Sequence, residues 1–171
     1  VISGYWPIRD EFDDMAILRR MSLAGYLCAL PYVDKKRHVL VFREWQPGTA
    51  MIAGPFQIPE PTEAAPEVTP SILLTPLLAY DSAGFRLGYG GGYYDGALAA
   101  LRAAGGPVLA VGTAFTEQMV ERVPHTAKDE QLDWIVTERG AMPFESKMVR
   151  KANEDFDVGR CDGARRARCV E

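Results

Sequence analysis

Apolar and polar positions along this chain alternate in two periods, and the switches between them outline a domain. Val1-Ile2-Ser3-Gly4 reads as a strand end, and Tyr5-Trp6-Pro7 as the loop leaving it. Asp10 is a plausible N-cap with Asp13 three residues on; Ile17, Leu18, Met21 and Ala24 then fall at helical spacing, and Gly25 closes the helix. Tyr26-Leu27-Cys28-Ala29-Leu30 predicts a short strand stopped by Pro31, and Asp34-Lys35-Lys36-Arg37 a solvated turn. Val39-Leu40-Val41-Phe42 is the next strand, and Met51-Ile52-Ala53 another short one. The proline-rich run from Gly54 to Pro70 predicts an ordered excursion, in which Ile58-Pro59-Glu60-Pro61 either presents Glu60 in a fixed direction or is a plain surface loop. Ser71-Ile72-Leu73-Leu74-Thr75 reads as a central buried strand, followed by a turn at Ser82-Ala83-Gly84. A helix over Gly96 to Ala104, a strand at Val108-Leu109-Ala110-Val111, a short helix capped by Thr116, and a last strand at Leu132 to Thr137 complete the series. Strands alternating with helices predict an α/β domain over residues 1–144 with a mainly parallel sheet. From Glu145 to Glu171 mixed charges with few large apolar residues read as a tail. Its Arg165, Arg166 and Arg168 suit a solvated end or a contact with RNA or membrane.

Composition narrows the function classes. With 47% hydrophobic and 25% charged residues the chain has the make-up of a soluble globular protein. A formal net charge of −4 argues against bulk nucleic-acid binding, and no apolar run is long enough to cross a bilayer. The three cysteines, Cys28, Cys161 and Cys169, match neither a disulfide framework nor a zinc site, and Cys28 sits in an apolar run as a small core residue. A cytoplasmic monomer with no membrane or nucleic-acid partner is the expectation.

The stretch with the most chemistry is Arg86-Leu87-Gly88-Tyr89-Gly90-Gly91-Gly92-Tyr93-Tyr94-Asp95. Glycines let a loop turn its N–H groups inward, and the start of a helix directly behind them adds a dipole that favours anionic oxygen. Arg86 would add a positive fork and Asp95 a carboxylate. The pattern suits a polyphosphate with its metal ion; a tight turn with two packed tyrosines explains the glycines equally well.

Pro76 to Leu98, PLLAYDSAGFRLGYGGGYYDGAL, resembles the signature of 5-formyltetrahydrofolate cyclo-ligases, the methenyltetrahydrofolate synthetases. Tyr5-Trp6-Pro7 with Glu11-x-Asp13, Gln57-Ile58-Pro59-Glu60-Pro61, and the block from Val123-Pro124-His125 through Asp129 to Glu138 resemble further elements of that family, in order. The resemblance implies a three-layer α/β sandwich like that of sugar-phosphate isomerases and CoA transferases (the NagB/RpiA/CoA transferase type). It also implies conversion of 5-formyltetrahydrofolate to 5,10-methenyltetrahydrofolate with ATP and Mg²⁺, through phosphorylation of the N5-formyl oxygen. On this reading Arg86 and Tyr93 take part in the chemistry, and Arg86, Leu87, Gly88, Tyr89, Gly90, Gly91, Gly92, Tyr93 and Tyr94 hold the nucleotide. Trp6, Glu11, Tyr89, Gly90, Gly91, Gly92 and Tyr93 meet the folate, and Asp95 and Asp129 hold the metal. Residues alone leave Trp6 open as a core anchor, Glu11 as a first-turn helix acid and Asp129 as a solvated loop acid. The sequence departs from the family at Leu77, Tyr80, Gly91 and Gly96, and the family's N-terminal helical region, with its ATP-contacting Lys/Arg motif, has no counterpart here. An N-terminally incomplete domain is therefore expected, and the alternative is a weakened or inactive member acting as a nucleotide-, folate- or RNA-binding module.

Overall fold

The structure, a computed structural model, describes residues 1–144. The tail expected at 145–171, with its arginine cluster, lies outside the described residues. The elements in order are β1 (Ile2–Ser3), α1 (Met15–Leu23), β2 (Cys28–Asp34), β3 (Val39–Trp45), β4 (Met51–Ala53), β5 (Pro59–Pro61), β6 (Ile72–Thr75), β7 (Ala79–Tyr80), β8 (Arg86–Leu87), α2 (Tyr93–Ala103), β9 (Leu109–Thr113), β10 (Trp134–Thr137) and β11 (Gly140–Pro143). Seven strands form one sheet in the order β11-β10-β9-β6-β1-β2-β3, parallel throughout except for the antiparallel edges β3 and β11. β4 with β5 and β7 with β8 make two small ribbons.

The three layers follow from alternation along the strands. Cys28 and Leu30 face one side of β2 and pack with Met15 and Leu18 of α1; Ala29, between them, faces the other side and shares a cluster with Ala97 and Leu98 of α2. The helices lie on opposite faces because the crossovers run in opposite directions. From β1 through α1 the chain moves outward to β2, and from β6 through α2 it moves the other way to β9. Right-handed crossovers of opposite direction must cover opposite faces. Between β1 and β6 the strand order therefore reverses. In an open parallel sheet that reversal leaves a crevice at the carboxyl ends of the two strands, where ligands bind. The loops opening there are Gly4–Asp14 and Pro76–Gly92.

Several boundaries differ from those the sequence predicts. α1 starts at Met15, with Asp14 rather than Asp10 at its N-cap position, because the Glu11 carboxylate holds the Ile8 N–H at 2.8 Å and turns the preceding acids into a loop. α2 starts at Tyr93, behind Gly92 in the left-handed conformation (φ 65°). β2 runs through Pro31: the Val33 N–H is taken by Glu60, so Pro31, two residues earlier, turns its missing donor to the same side, away from β3. The helix expected from Thr116 is one tight turn, Thr116–Gln118, and β11 follows the strand expected to be last.

Candidate active site

Tyr5 leaves β1 fully buried, its N–H donating to Asp14 Oδ2 at 2.9 Å and its hydroxyl donating to the Phe12 carbonyl at 2.7 Å. The same hydroxyl lies 2.8 Å from Thr113 Oγ1 at the end of β9. These bonds curl residues 5–12 back over the sheet, where Phe12 meets the ring of Phe115 at 5.7 Å. Gly4 has no side chain for a steric reason: a Cβ there would stand 2.5 Å from Asp14 Oδ2. Asp14 is completely buried, and its Oδ1 has no hydrogen-bond partner among the described residues. Burial drives its carboxyl from 3.8 to about 8, the nearby Asp13 and Glu11 charges pushing the same way against the Tyr5 N–H. Glu11 is half-buried; burial raises its carboxyl and the Ile8 N–H lowers it. Trp6 packs half-buried against the α1-side core, with part of its side chain left uncovered.

The glycine loop forms the facing wall. Gly90 and Gly92 have φ of 84° and 65°, backbone angles that favour glycine, and a Cβ added at Gly88, Gly90 or Gly92 would meet nothing within 4 Å. Among the described residues the N–H groups of Gly88 to Gly92 make no hydrogen bond, and the N–H groups of Tyr93 and Tyr94 open α2. A row of free donors thus runs into a helix N-terminus. Tyr89 and Tyr93 are exposed, whereas Tyr94 turns inward and packs on the α2-side core. Burial raises its hydroxyl well above the usual phenol range, with Asp14, Tyr5 and Glu11 near enough to add to the effect. The two loops meet directly where the Arg9 guanidinium lies 5.7 Å over the Tyr89 ring.

Arg86 does not stand at the entrance as the positive fork the sequence suggests. Its side chain is 5% exposed and donates to Asp95 Oδ1 at 2.9 Å and to the Glu130 carbonyl at 2.8 Å. Asp95 Oδ1 also accepts the Glu130 N–H at 3.0 Å, so this pair ties β8, the first turn of α2 and the loop after Lys128 into one block. Asp129 is half-buried, its Oδ2 accepting from the Thr126 N–H and hydroxyl. Those donors hold its carboxyl below the usual range, and Arg86 and His125 add to the effect. Among the described residues no group of three or more His, Cys, Asp or Glu side chains gathers into a metal cage. Two residues passed over in the sequence belong to this cleft, Asp14 and Arg9. One hint was legible, a glycine directly after a strand, since Gly4 marks where a side chain from elsewhere must enter. Glu60 does not project outward from its stiff segment but is buried, taking the Val33 N–H at 3.2 Å. A Cβ at Gly54 would stand 2.4 Å from it. Cys28 is buried in the core, its thiol raised by that burial.

Fold and cleft together define an α/β domain with a donor-lined crevice at the switch point of its sheet. The sequence profile of the 5-formyltetrahydrofolate cyclo-ligase family matches residues 1–138. The 5-formyltetrahydrofolate cyclo-ligase of Haemophilus influenzae is 33% identical over 128 residues, covering 72% of this chain and 67% of that protein. The Escherichia coli enzyme of the same name is 31% identical over 132 residues, covering 74% and 71%. The solution structure of Aquifex aeolicus 5,10-methenyltetrahydrofolate synthetase superposes with a TM-score of 0.68 at 30% identity, over 85% of this chain and 72% of that one. The chain belongs to the 5-formyltetrahydrofolate cyclo-ligase family, which places it among the ligases of folate metabolism.

Proposed function

We propose that this protein converts 5-formyltetrahydrofolate to 5,10-methenyltetrahydrofolate at the expense of ATP, in the cleft between the loops after β1 and β6. The observation that carries the proposal is the row of unbonded N–H groups from Gly88 to Gly92, set at a helix N-terminus and facing the loop of Glu11. In that assignment the nucleotide's phosphates lie along Gly88 to Tyr93, whose donors and helix dipole stabilise anionic oxygen. Glu11, with one oxygen engaged by Ile8, offers the other to the N–H edge of a pterin, which Trp6 and the exposed ring of Tyr89 would flank.

The chemistry asks little covalent work of the protein. The N5-formyl oxygen attacks the γ-phosphorus and ADP leaves; N10 then attacks the activated formyl carbon, loses its proton, and phosphate departs. Phosphoryl transfer of this kind depends on position and charge neutralisation. Tyr93, exposed at the N-terminus of α2, is the side chain best set to donate to the transferring group. Arg86 acts through Asp95: the ion pair fixes the loop's exit into α2.

The residues present fit Mg²⁺, which takes one or two carboxylates and fills its remaining positions with phosphate oxygens and water. Asp129, and the Asp95 oxygen not bonded to Arg86, would hold it. When bound it supplies charge neutralisation at the phosphates.

The test is absorbance of methenyltetrahydrofolate after mixing purified protein, 5-formyltetrahydrofolate and MgATP. Product that appears only with ATP supports the assignment, and Asp129→Asn should weaken it with a raised requirement for Mg²⁺. Binding of both ligands without turnover would favour the alternative reading of a nucleotide- and folate-binding module; binding of neither would overturn both.

A further inference from the structure

Arg9 is a cation that the cleft leaves uncommitted. It stands two residues before Glu11 in the loop after β1, exposed, with φ 53°, a left-handed angle that a residue with a side chain adopts only against resistance. Such outliers concentrate at ligand-binding sites, where surrounding structure holds them in place. The guanidinium lies 5.7 Å over the Tyr89 ring of the glycine loop. Among the described residues it forms no ion pair or hydrogen bond, although Asp10 and Glu11 are its neighbours in the chain.

The other arginines around the loop are spent. Arg86 is buried against Asp95 and the Glu130 carbonyl. Arg102 is bonded to Glu130, Asp133 and the Gln131 carbonyl. The glycine loop itself, Gly88 to Gly92, carries no cationic side chain. A cleft that neutralises anions with backbone donors alone still has its strongest available charge in Arg9. A cation–π contact seats that charge without consuming any of its N–H donors, so the fork stays free for a bidentate partner.

We propose that Arg9, seated on Tyr89, is an anion-binding residue of this cleft, taking a carboxylate or phosphoryl oxygen of a substrate held between the two loops. This inference rests on the function proposed above, and the two sources of anionic oxygen are separable by experiment. One is the glutamate tail of the folate; the other is the nucleotide.

The test is calorimetric binding of 5-formyltetrahydrofolate, of its analogue lacking the glutamate, and of MgATP to the unaltered protein and to Arg9→Gln and Arg9→Lys. Loss of a charge-assisted bond predicts that Arg9→Gln weakens one ligand by roughly tenfold to a hundredfold, with Arg9→Lys recovering part of the loss. Weakening of the glutamate-bearing folate but not of the analogue identifies a carboxylate; weakening of MgATP identifies a phosphoryl group. Unchanged thermal melting of both variants separates binding from folding. All three ligands bound within about twofold by Arg9→Gln, a change too small for a charge-assisted bond, would overturn the inference and leave the proposed function standing. An unaltered protein that binds none of them would overturn both.

Discussion

Asp14 shows how much a single residue's role depends on what folds against it. In sequence it is the last of three acids in Glu11-Phe12-Asp13-Asp14, indistinguishable from a solvated helix start. In the fold it is sealed beneath Gly4 and Tyr5, with a carboxyl driven up to about 8 by burial. The sign of the pH effect follows. The unfolded chain gives up this proton near 3.8 while the folded chain keeps it to about 8, so the unfolded state binds fewer protons between those values and stability falls as pH rises. Asp14→Asn keeps an acceptor for the Tyr5 N–H without the ionisation penalty. Its gain in melting temperature over the unaltered protein should widen from pH 4.5 to pH 8; a gap independent of pH would contradict the assigned burial. Glu11→Gln tests the neighbouring role: the KM for 5-formyltetrahydrofolate should rise roughly tenfold or more with the KM for MgATP little changed, as expected for losing one charged hydrogen bond.

At the scale of elements, what was legible was whatever depends on local pattern. The strands at Ile72–Thr75 and Met51–Ala53 lie where the alternation puts them, since run and turn signals coincide there. β11 was not legible: Gly-Ala-Met-Pro has no β-branched or aromatic residue, and it becomes a strand only because β10 offers it an edge. The passage of β2 through Pro31 was equally hidden, because it depends on Glu60 arriving from the ribbon to take the Val33 N–H. The hairpin of β7 and β8 carries the glycine loop and is pinned by Asp81, whose carboxylate accepts the N–H groups of Ala83, Phe85 and Val123 at 3.0, 3.1 and 2.9 Å. Asp81→Ala leaves those donors unpaired and should cost about 3 kcal/mol of stability in denaturant unfolding, less than about 1 kcal/mol being inconsistent with this pinning. Gly92→Ala places a side chain where φ is 65°; a stability loss of about 1 kcal/mol is expected, together with weaker MgATP binding.

Across the whole molecule, the sequence carried the alternation of strands and helices and the ordered motifs, but not the reversal of strand order between β1 and β6. That reversal brings loops separated by more than sixty positions in the chain to one crevice, and only the register of Ile2 between Cys28 and Ile72 reveals it. It also explains why candidate residues fall into two groups. Glu11, Tyr89 and the free N–H row converge, while Arg86 braces the wall from behind and Glu60 lies under a separate ribbon. In the proposed reaction this crevice activates a formyl oxygen by phosphorylation. Tracing oxygen-18 placed in the formyl group of 5-formyltetrahydrofolate tests it most directly. Mass analysis of the phosphate released with MgATP should find the label in that phosphate; unlabelled phosphate accompanying methenyl product would contradict the account.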